Sequence, residues 1–419
     1  MWFFRAMLDG MRTETQAAGV EVALRRRAEE TGDRLRAAVD GLLTDLGGRG
    51  IRDQRGMQEA LNLSQSAVSR LVLSARSGDS LASLSNSPGL EALKQVAKGA
   101  AKSGVDKACL AQVNLAIAEL EHFLAAEVGD RNTLEAVLCD WVQESRGSFE
   151  LRHKAAAFKS MSALRGVRAD VIVNAAIVHP SADPRVYDCI GIDAMLGCRR
   201  LRPSGLLRLF GSHLAPPGSS YQVTTLAGGA IGSLRDEMVP GFSTVAAAQA
   251  ESVEHGQYLE TTVRDLPLGM GDFPGQDLVS ARMYRGVQRA VRGEGPATSG
   301  VGGQAEPPAE VYVVDALLHD DVWPDAKPEL RIYDTVVRGI THPDNPMRQG
   351  DRLDMLESVQ FLGRGPHALR MAEFARYPEL VATVCEQAGW DASRLRVFRC
   401  RVRYPIYGSQ IGLAFPLTD

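Results

Sequence analysis

Residues 57–71 read MQEALNLSQSAVSRL and concentrate short hydroxyl and amide side chains just ahead of an arginine. Ser64, Gln65, Ser66, Ser69 and Arg70 are the residue types that hydrogen-bond base edges and phosphates when the start of a helix enters the major groove of DNA. Helical spacing turns Met57, Leu61, Leu63, Val68 and Leu71 inward as a clamp between two short helices and leaves Gln65, Ser66, Ser69 and Arg70 outward. Farther on, DALLHDD brings Asp315, His319, Asp320 and Asp321 together, carboxylate and imidazole types that ligate metals, but no second histidine stands at a defined spacing. LAGGAIGS, with Gly228, Gly229 and Gly232, reads as a turn because no strand–loop–helix pattern makes it a phosphate cradle. The serines around His213 in GSHLAPPGSS lack a nucleophile-elbow context. Near the end of the chain Arg399, Arg401 and Arg403 alternate with Cys400, Val402 and Tyr404, so one strand face is a row of guanidiniums.

The elements that position these residues change character along the chain. Up to about residue 165 the pattern is helical. Leu35, Val39, Leu42, Leu43 and Leu46 form one helix face closed by Gly47-Gly48, and Leu110, Val113, Ile117, Leu120 and Leu124 form another. Ser87-Pro88 reads as a helix cap followed by proline at the first helical position, opening a helix that Gly104 stops, and a further helix covers 132–142. The turn of the 57–71 hairpin falls on Asn62-Leu63-Ser64: Asn62 suits a left-handed residue and Ser64 suits a helix cap. From ADVIVNAAIVHP onward, short β-branched runs are punctuated by glycine and proline, and only 368–390 reads as a late helix. Residues 293–310, rich in glycine and proline without apolar periodicity, read as a mobile loop or linker.

The 419 residues exceed one ordinary core, and a net charge of −4 argues against a chain that coats nucleic acid over its whole surface while leaving room for a local basic face. Such a face lies in 51–110, where eight basic residues meet five acidic ones; Lys94, Lys98, Lys102 and Lys107 sit on or just after one helix and can reach phosphates. Residues 150–210 are basic as well, with ten lysines and arginines against five acids. The six cysteines contain no CxxC pair and no nearby histidine at zinc spacing, so reduced thiols are expected, with no disulfide framework and no structural zinc. No apolar window approaches membrane-span length and MWFFRAMLDGMR is no signal sequence, so a cytoplasmic protein is expected.

The stretch MQEALNLSQSAVSRL resembles the helix-turn-helix of bacterial transcription regulators of the Cro/repressor (XRE-like) class, in the form L-A-x-x-L-G-V-S-x-x-x-V-S-R. Asn62 stands in the glycine position, and Gln58 stands where that class has alanine. PGLEALKQVAKGAAKSG resembles a later helix of such domains, so the likeness covers about 33–104. It implies DNA contacts by Ser64, Gln65, Ser66, Ser69 and Arg70, with Lys94 and Lys98 at phosphates, and a homodimer or higher oligomer that pairs two half-sites.

The expectation is therefore an α+β protein. A helical region with the DNA-binding module spans 1–107, a helical connector or dimerisation region spans 108–165, and a larger β-rich domain that senses a small-molecule effector or mediates assembly spans 166–419. The expected function is sequence-specific DNA binding by a regulator that needs no cofactor and is not an enzyme. Two alternatives remain beside it: a self-assembling structural or phage-related protein with a helical adaptor, and a metal-dependent enzyme with a regulatory front end.

Overall fold

The computed structural model describes residues 2–213, 215, 221–246, 249–256, 258–269, 274–288, 298–325 and 327–416, with side chains described from residue 19 on, apart from 144, 145, 210–213, 258 and 288. The chain is α+β and divides into two compact units, Met1–Glu150 and Leu151–Asp419.

The first unit is helical: α1 (Trp2–Gly48), α2 (Gln54–Leu61), α3 (Gln65–Arg76), α4 (Ser80–Asn86), α5 (Leu90–Lys102), α6 (Lys107–Phe123) and α7 (Arg131–Trp141). The start of α8 (Gln143–Arg165) also belongs to it. The α1 stripe reaches the core as its spacing predicts, with Leu35, Val39, Leu42 and Leu46 buried. Gly32 lets α1 touch α4 closely, since a Cβ there would lie 2.1 Å from the Ser80 carbonyl oxygen. Two expectations are corrected. No domain break falls at 107/108, because α6 and α7 bury Ile117, Leu120, Phe123, Leu134 and Leu138 in the same core as Leu61 and Leu71. Also, α5 is capped by Gly89 and begins at Leu90, and the Ser87 hydroxyl donates backward to the Leu84 carbonyl (2.8 Å).

The second unit starts inside α8 rather than at residue 166. Phe158 is buried against Tyr404 (ring centroids 5.4 Å apart), and Lys154 pairs with Glu357. Its strands are β1 (Val167–Pro180), β2 (Val186–Arg200), β3 (Leu207–His213), β4 (Gln222–Thr224), β5 (Ala250–His255), β6 (Tyr258–Val263), β7 (Gln276–Gln288), β8 (Thr298–Gln304), β9 (Ala309–His319), β10 (Glu329–Tyr333), β11 (Gln360–Arg364), β12 (Leu395–Arg403) and β13 (Gln410–Pro416). Among the described residues two α-helices join them, the single turn α9 (Leu234–Glu237) and α10 (Tyr377–Ala388). A seven-stranded sheet runs β11-β12-β9-β1-β2-β7-β4, with β1 and β9 parallel. Alternation sorts its two faces. Val171, Val173, Ile190, Ile192, Val311 and Val313 pack with Leu380, Val381 and Val384 of α10. The opposite face, with Ile172, Tyr312 and Val314, shares a core with residues of the three-stranded sheets β10-β13-β8 and β3-β6-β5.

The expected loop at 293–310 is also corrected. Residues 293–297 lie outside the described residues, but Thr298–Gln304 is strand β8 and Ala309 opens β9. Glycine is there for close approach: a Cβ on Gly302 would lie 2.3 Å from the Ile411 carbonyl oxygen on β13. Among the described residues no helix is long and apolar enough to cross a membrane.

Candidate functional site

Asn62 takes the left-handed conformation (φ 52°, ψ 52°) that turns the chain from α2 into α3. The Leu63 amide donates back to the Gln58 carbonyl (3.1 Å), and the Ser64 hydroxyl accepts from the Ala67 amide (3.3 Å), capping α3. Met57, Leu61, Leu63, Val68 and Leu71 are all buried. A third helix locks the pair: Gly99 of α5 lies so close to α2 that a Cβ would stand 2.5 Å from the Leu61 Cα. Ser103 donates to the Ala60 carbonyl (3.1 Å).

This scaffold leaves Ser64, Gln65 and Ser66 exposed and Ser69 half-buried on the outward side of α3, with the Ser64 and Ser66 hydroxyls 3.0 Å apart. Leu73, at i+4 from Ser69, continues that side and is 51% exposed. Arg76 is exposed one turn farther along.

Arg70 also makes contacts within the helical unit. Its guanidinium donates to the Ser85 (3.2 Å) and Asn86 (3.4 Å) carbonyls at the end of α4 and lies 3.5 Å from Glu135 of α7. Arg131 also donates to the Ser85 carbonyl (3.1 Å), so two arginines meet the negative end of α4. Arg70 therefore ties α3 to its neighbours while 38% of its side chain stays exposed. Lys94 is likewise drawn to Glu121 of α6 (2.7 Å) and Glu91 (3.6 Å), whereas Lys98, Lys102 and Lys107 are exposed.

The β-rich unit holds a second polar constellation, inside a cavity of about 940 Å³ between the large sheet and the two small ones. Asn174, Asp193 and Ser280 lie opposite one another on β1, β2 and β7, and Arg282 faces Gly191 one register step on. Asn174 Nδ2 donates to Asp193 Oδ1 (2.7 Å), and Arg282 Nη2 donates to Asp193 Oδ2 (2.5 Å). Glu237 reaches Arg282 from α9, with Oε2 3.5 Å from Nε. The glycine-rich turn has its purpose here. After Gly228 (φ 85°), the Asp236 carboxylate accepts from the Gly232 and Ser233 amides (3.0 and 2.9 Å), which holds that carboxyl below the usual range and fixes the single helical turn ending in Glu237. Two glycines make room: a Cβ on Gly191 would meet the Tyr284 ring at 3.2 Å, and one on Gly303 would meet the Tyr312 hydroxyl at 2.9 Å. The available signals were an aspartate inside the apolar run GIDAM and an arginine inside LVSARMYRG.

The other candidates whose side chains are described make contacts within the β-rich unit. Asp315 is fully buried and accepts two hydrogen bonds from Arg399 (2.8 and 2.7 Å), whose side chain is 8% exposed, so the row of guanidiniums on β12 is broken at its first member. Arg401 pairs with Glu373, and Arg403 lies over the Tyr404 ring. His319 packs edge-on to His179 (4.6 Å), which stacks on Trp390 (4.5 Å). Burial first, and then His179, lower the pKa of His319. Asp320 and Asp321 face Arg364 (3.1 Å) and Arg394 (3.3 Å). Among the described residues no three His, Cys, Asp or Glu groups converge as a metal site. The turn Gly228–Gly232 holds α9 as described, and much of GSHLAPPGSS lies outside the described residues. All six cysteines are free thiols, and burial pushes Cys189, Cys198, Cys385 and Cys400 up to about 12. No protein-family model and no curated protein matches this chain.

Proposed function

We propose that this protein is a cytoplasmic, sequence-specific DNA-binding regulator, acting as a homodimer or higher oligomer, whose helical unit reads DNA through α3 and whose β-rich unit takes a small-molecule effector. The observation that carries this reading is the start of α3. Ser64, Gln65 and Ser66 are exposed at a helix N-terminus that a left-handed Asn62 and a buried five-residue clamp hold rigidly. Gln65 is the length and chemistry that reads adenine, Ser66 and Ser69 fit either base, and Lys98 and Arg76 supply phosphate contacts. Arg70 and Lys94 act as braces within the helical unit. One module meets few phosphates, so a pair of subunits on two half-sites belongs to the proposal.

The test is fluorescence anisotropy of the full chain on duplex DNA across a salt series. Binding should weaken as salt rises, and Lys98→Ala should lower the slope of log K against log salt by about one per subunit, about two for a dimer on both half-sites. Absence of binding at low salt contradicts the reading. A specific observation favours the second reading, self-assembly: Val336, Val337 and Met347, in the segment between β10 and β11, are 82%, 87% and 75% exposed. Concentration-dependent self-association that is indifferent to DNA would support it.

A further inference from the structure

Among the described residues five Asp, Glu and Arg side chains line the cavity of the β-rich unit, and each is paired within the chain. Asp193 and Glu237 meet Arg282, Glu306 meets Arg165 (3.4 Å), and Arg208 meets Glu260 (3.9 Å). A charged ligand would give up its water shell and find every counter-charge already claimed. What the wall leaves over is neutral. Tyr312 of β9 and Ser280 of β7 line the cavity and are only 1% and 4% exposed. Among the described residues neither hydroxyl has a hydrogen-bond partner, and neither oxygen is sealed by protein on all sides. Burial first, and then the nearby Asp193 charge, raise the pKa of Tyr312 above the ordinary phenol value, so its O–H stays a neutral donor. A buried hydroxyl left without a partner costs stability that a ligand can return. The missing Cβ of Gly303 keeps room beside it, since that atom would lie 2.9 Å from the Tyr312 hydroxyl and 3.1 Å from Asn174 Nδ2. Asp193 stands opposite both Asn174 and Ser280 in the sheet. Its oxygens take one hydrogen bond each, from Asn174 Nδ2 (2.7 Å) and Arg282 Nη2 (2.5 Å), and 31% of the side chain is open. The wall therefore offers an open acceptor and unused hydroxyl donors side by side. A ligand hydroxyl uses both kinds at one atom, whereas an ether only accepts and an ammonium only donates. Away from this cluster the wall is apolar and aromatic, including Leu259, Leu278 and Trp323.

We propose that the cavity binds a small uncharged aromatic alcohol, its hydroxyl donating to Asp193 and accepting from Tyr312 while its ring lies along Leu259, Leu278 and Trp323. This inference rests on the reading of the β-rich unit as the effector-binding part and is independent of whether α3 binds DNA.

Four probes with a common phenyl body separate the chemistries: 2-phenylethanol, its methyl ether, 2-phenylethylamine and phenylacetate, each titrated into the DNA-free full chain at pH 7 and followed by ligand nuclear magnetic resonance. The alcohol should bind about tenfold more tightly than the ether, which lacks the donor that Asp193 takes, and both charged probes should be weaker than the alcohol by about tenfold or more. Tyr312→Phe should weaken the alcohol about fivefold, the loss of one neutral hydrogen bond. The probe comparison on the unaltered chain carries the test even if that variant does not fold. A charged probe that binds as tightly as the alcohol overturns the neutral assignment but leaves an effector cavity. An ether that matches the alcohol, or a Tyr312→Phe chain, folded by circular dichroism, that binds the alcohol as the natural chain does, overturns the assigned seat. Binding of none of the four overturns both the assignment and the effector reading.

Discussion

In the helical unit Ser64, Gln65 and Ser66 stand exposed at the start of α3, whereas in the β-rich unit Asn174, Asp193 and Arg282 line an interior cavity. The arginines differ in the same direction. Arg70 caps carbonyls at a helix end while keeping 38% of its side chain exposed, and Arg399 is sunk in a bidentate pair with a fully buried aspartate. The difference teaches where each unit can meet a partner. A rigid exposed helix start suits a surface as large as a DNA groove, and a lined cavity suits a molecule it can enclose. It also separates arginines that hold the fold from residues free to recognise something.

The comparison is broken most severely by removing one member of the Arg399–Asp315 pair. Arg399→Ala leaves Asp315 buried and unpaired and should cost about 3–5 kcal/mol of the β-rich unit's stability. Urea unfolding followed by Trp and near-ultraviolet signals checks this, and a loss under about 1 kcal/mol would mean the pair is not the anchor described. Arg70→Ala sharpens the other side. It should cost the helical unit about 1–2 kcal/mol by removing its hydrogen bonds to the Ser85 and Asn86 carbonyls, the former still held by Arg131, with faster amide exchange in α3 and α4 and an unchanged preferred DNA sequence. Unchanged exchange with an altered preference would return Arg70 to the bases.

The smallest effect concerns pH. The pKa of His319 in the folded chain is lowered, by burial and then by His179, so the unfolded chain binds the proton more readily. Stability from this group is therefore complete above about pH 6.5, the unfolded value, and declines as pH falls through the folded pKa. The acid side of the stability curve should be flatter in His319→Asn than in the natural chain; identical slopes would contradict the assignment.

What could be read from the residues alone was local. The α2–α3 hairpin is announced by Asn62, Ser64 and an apolar clamp within fifteen residues, and all of it lies where spacing predicts. The α+β division follows from the change of period near residue 168. The role of Arg70 depends on carbonyls 15 and 16 residues away and on Glu135 of α7, which no helical wheel reveals. The cavity depends on register: Asn174 and Asp193 are 19 residues apart, and Arg282 is 89 beyond Asp193. Glycine misled at 298–304 because it marks close backbone approach as readily as mobility. The unit boundary inside α8 was invisible because helical periodicity does not say which core a helix turn joins.

The most direct test of the central claim is selection of preferred duplexes from random DNA by the natural chain and by Gln65→Ala. The account predicts a two-fold symmetric site with half-sites about one helical turn apart for the natural chain. It further predicts a loss of discrimination of about 1–3 kcal/mol at one base pair per half-site in the variant. No enriched sequence, or the same sequence enriched equally by Gln65→Ala, would contradict it.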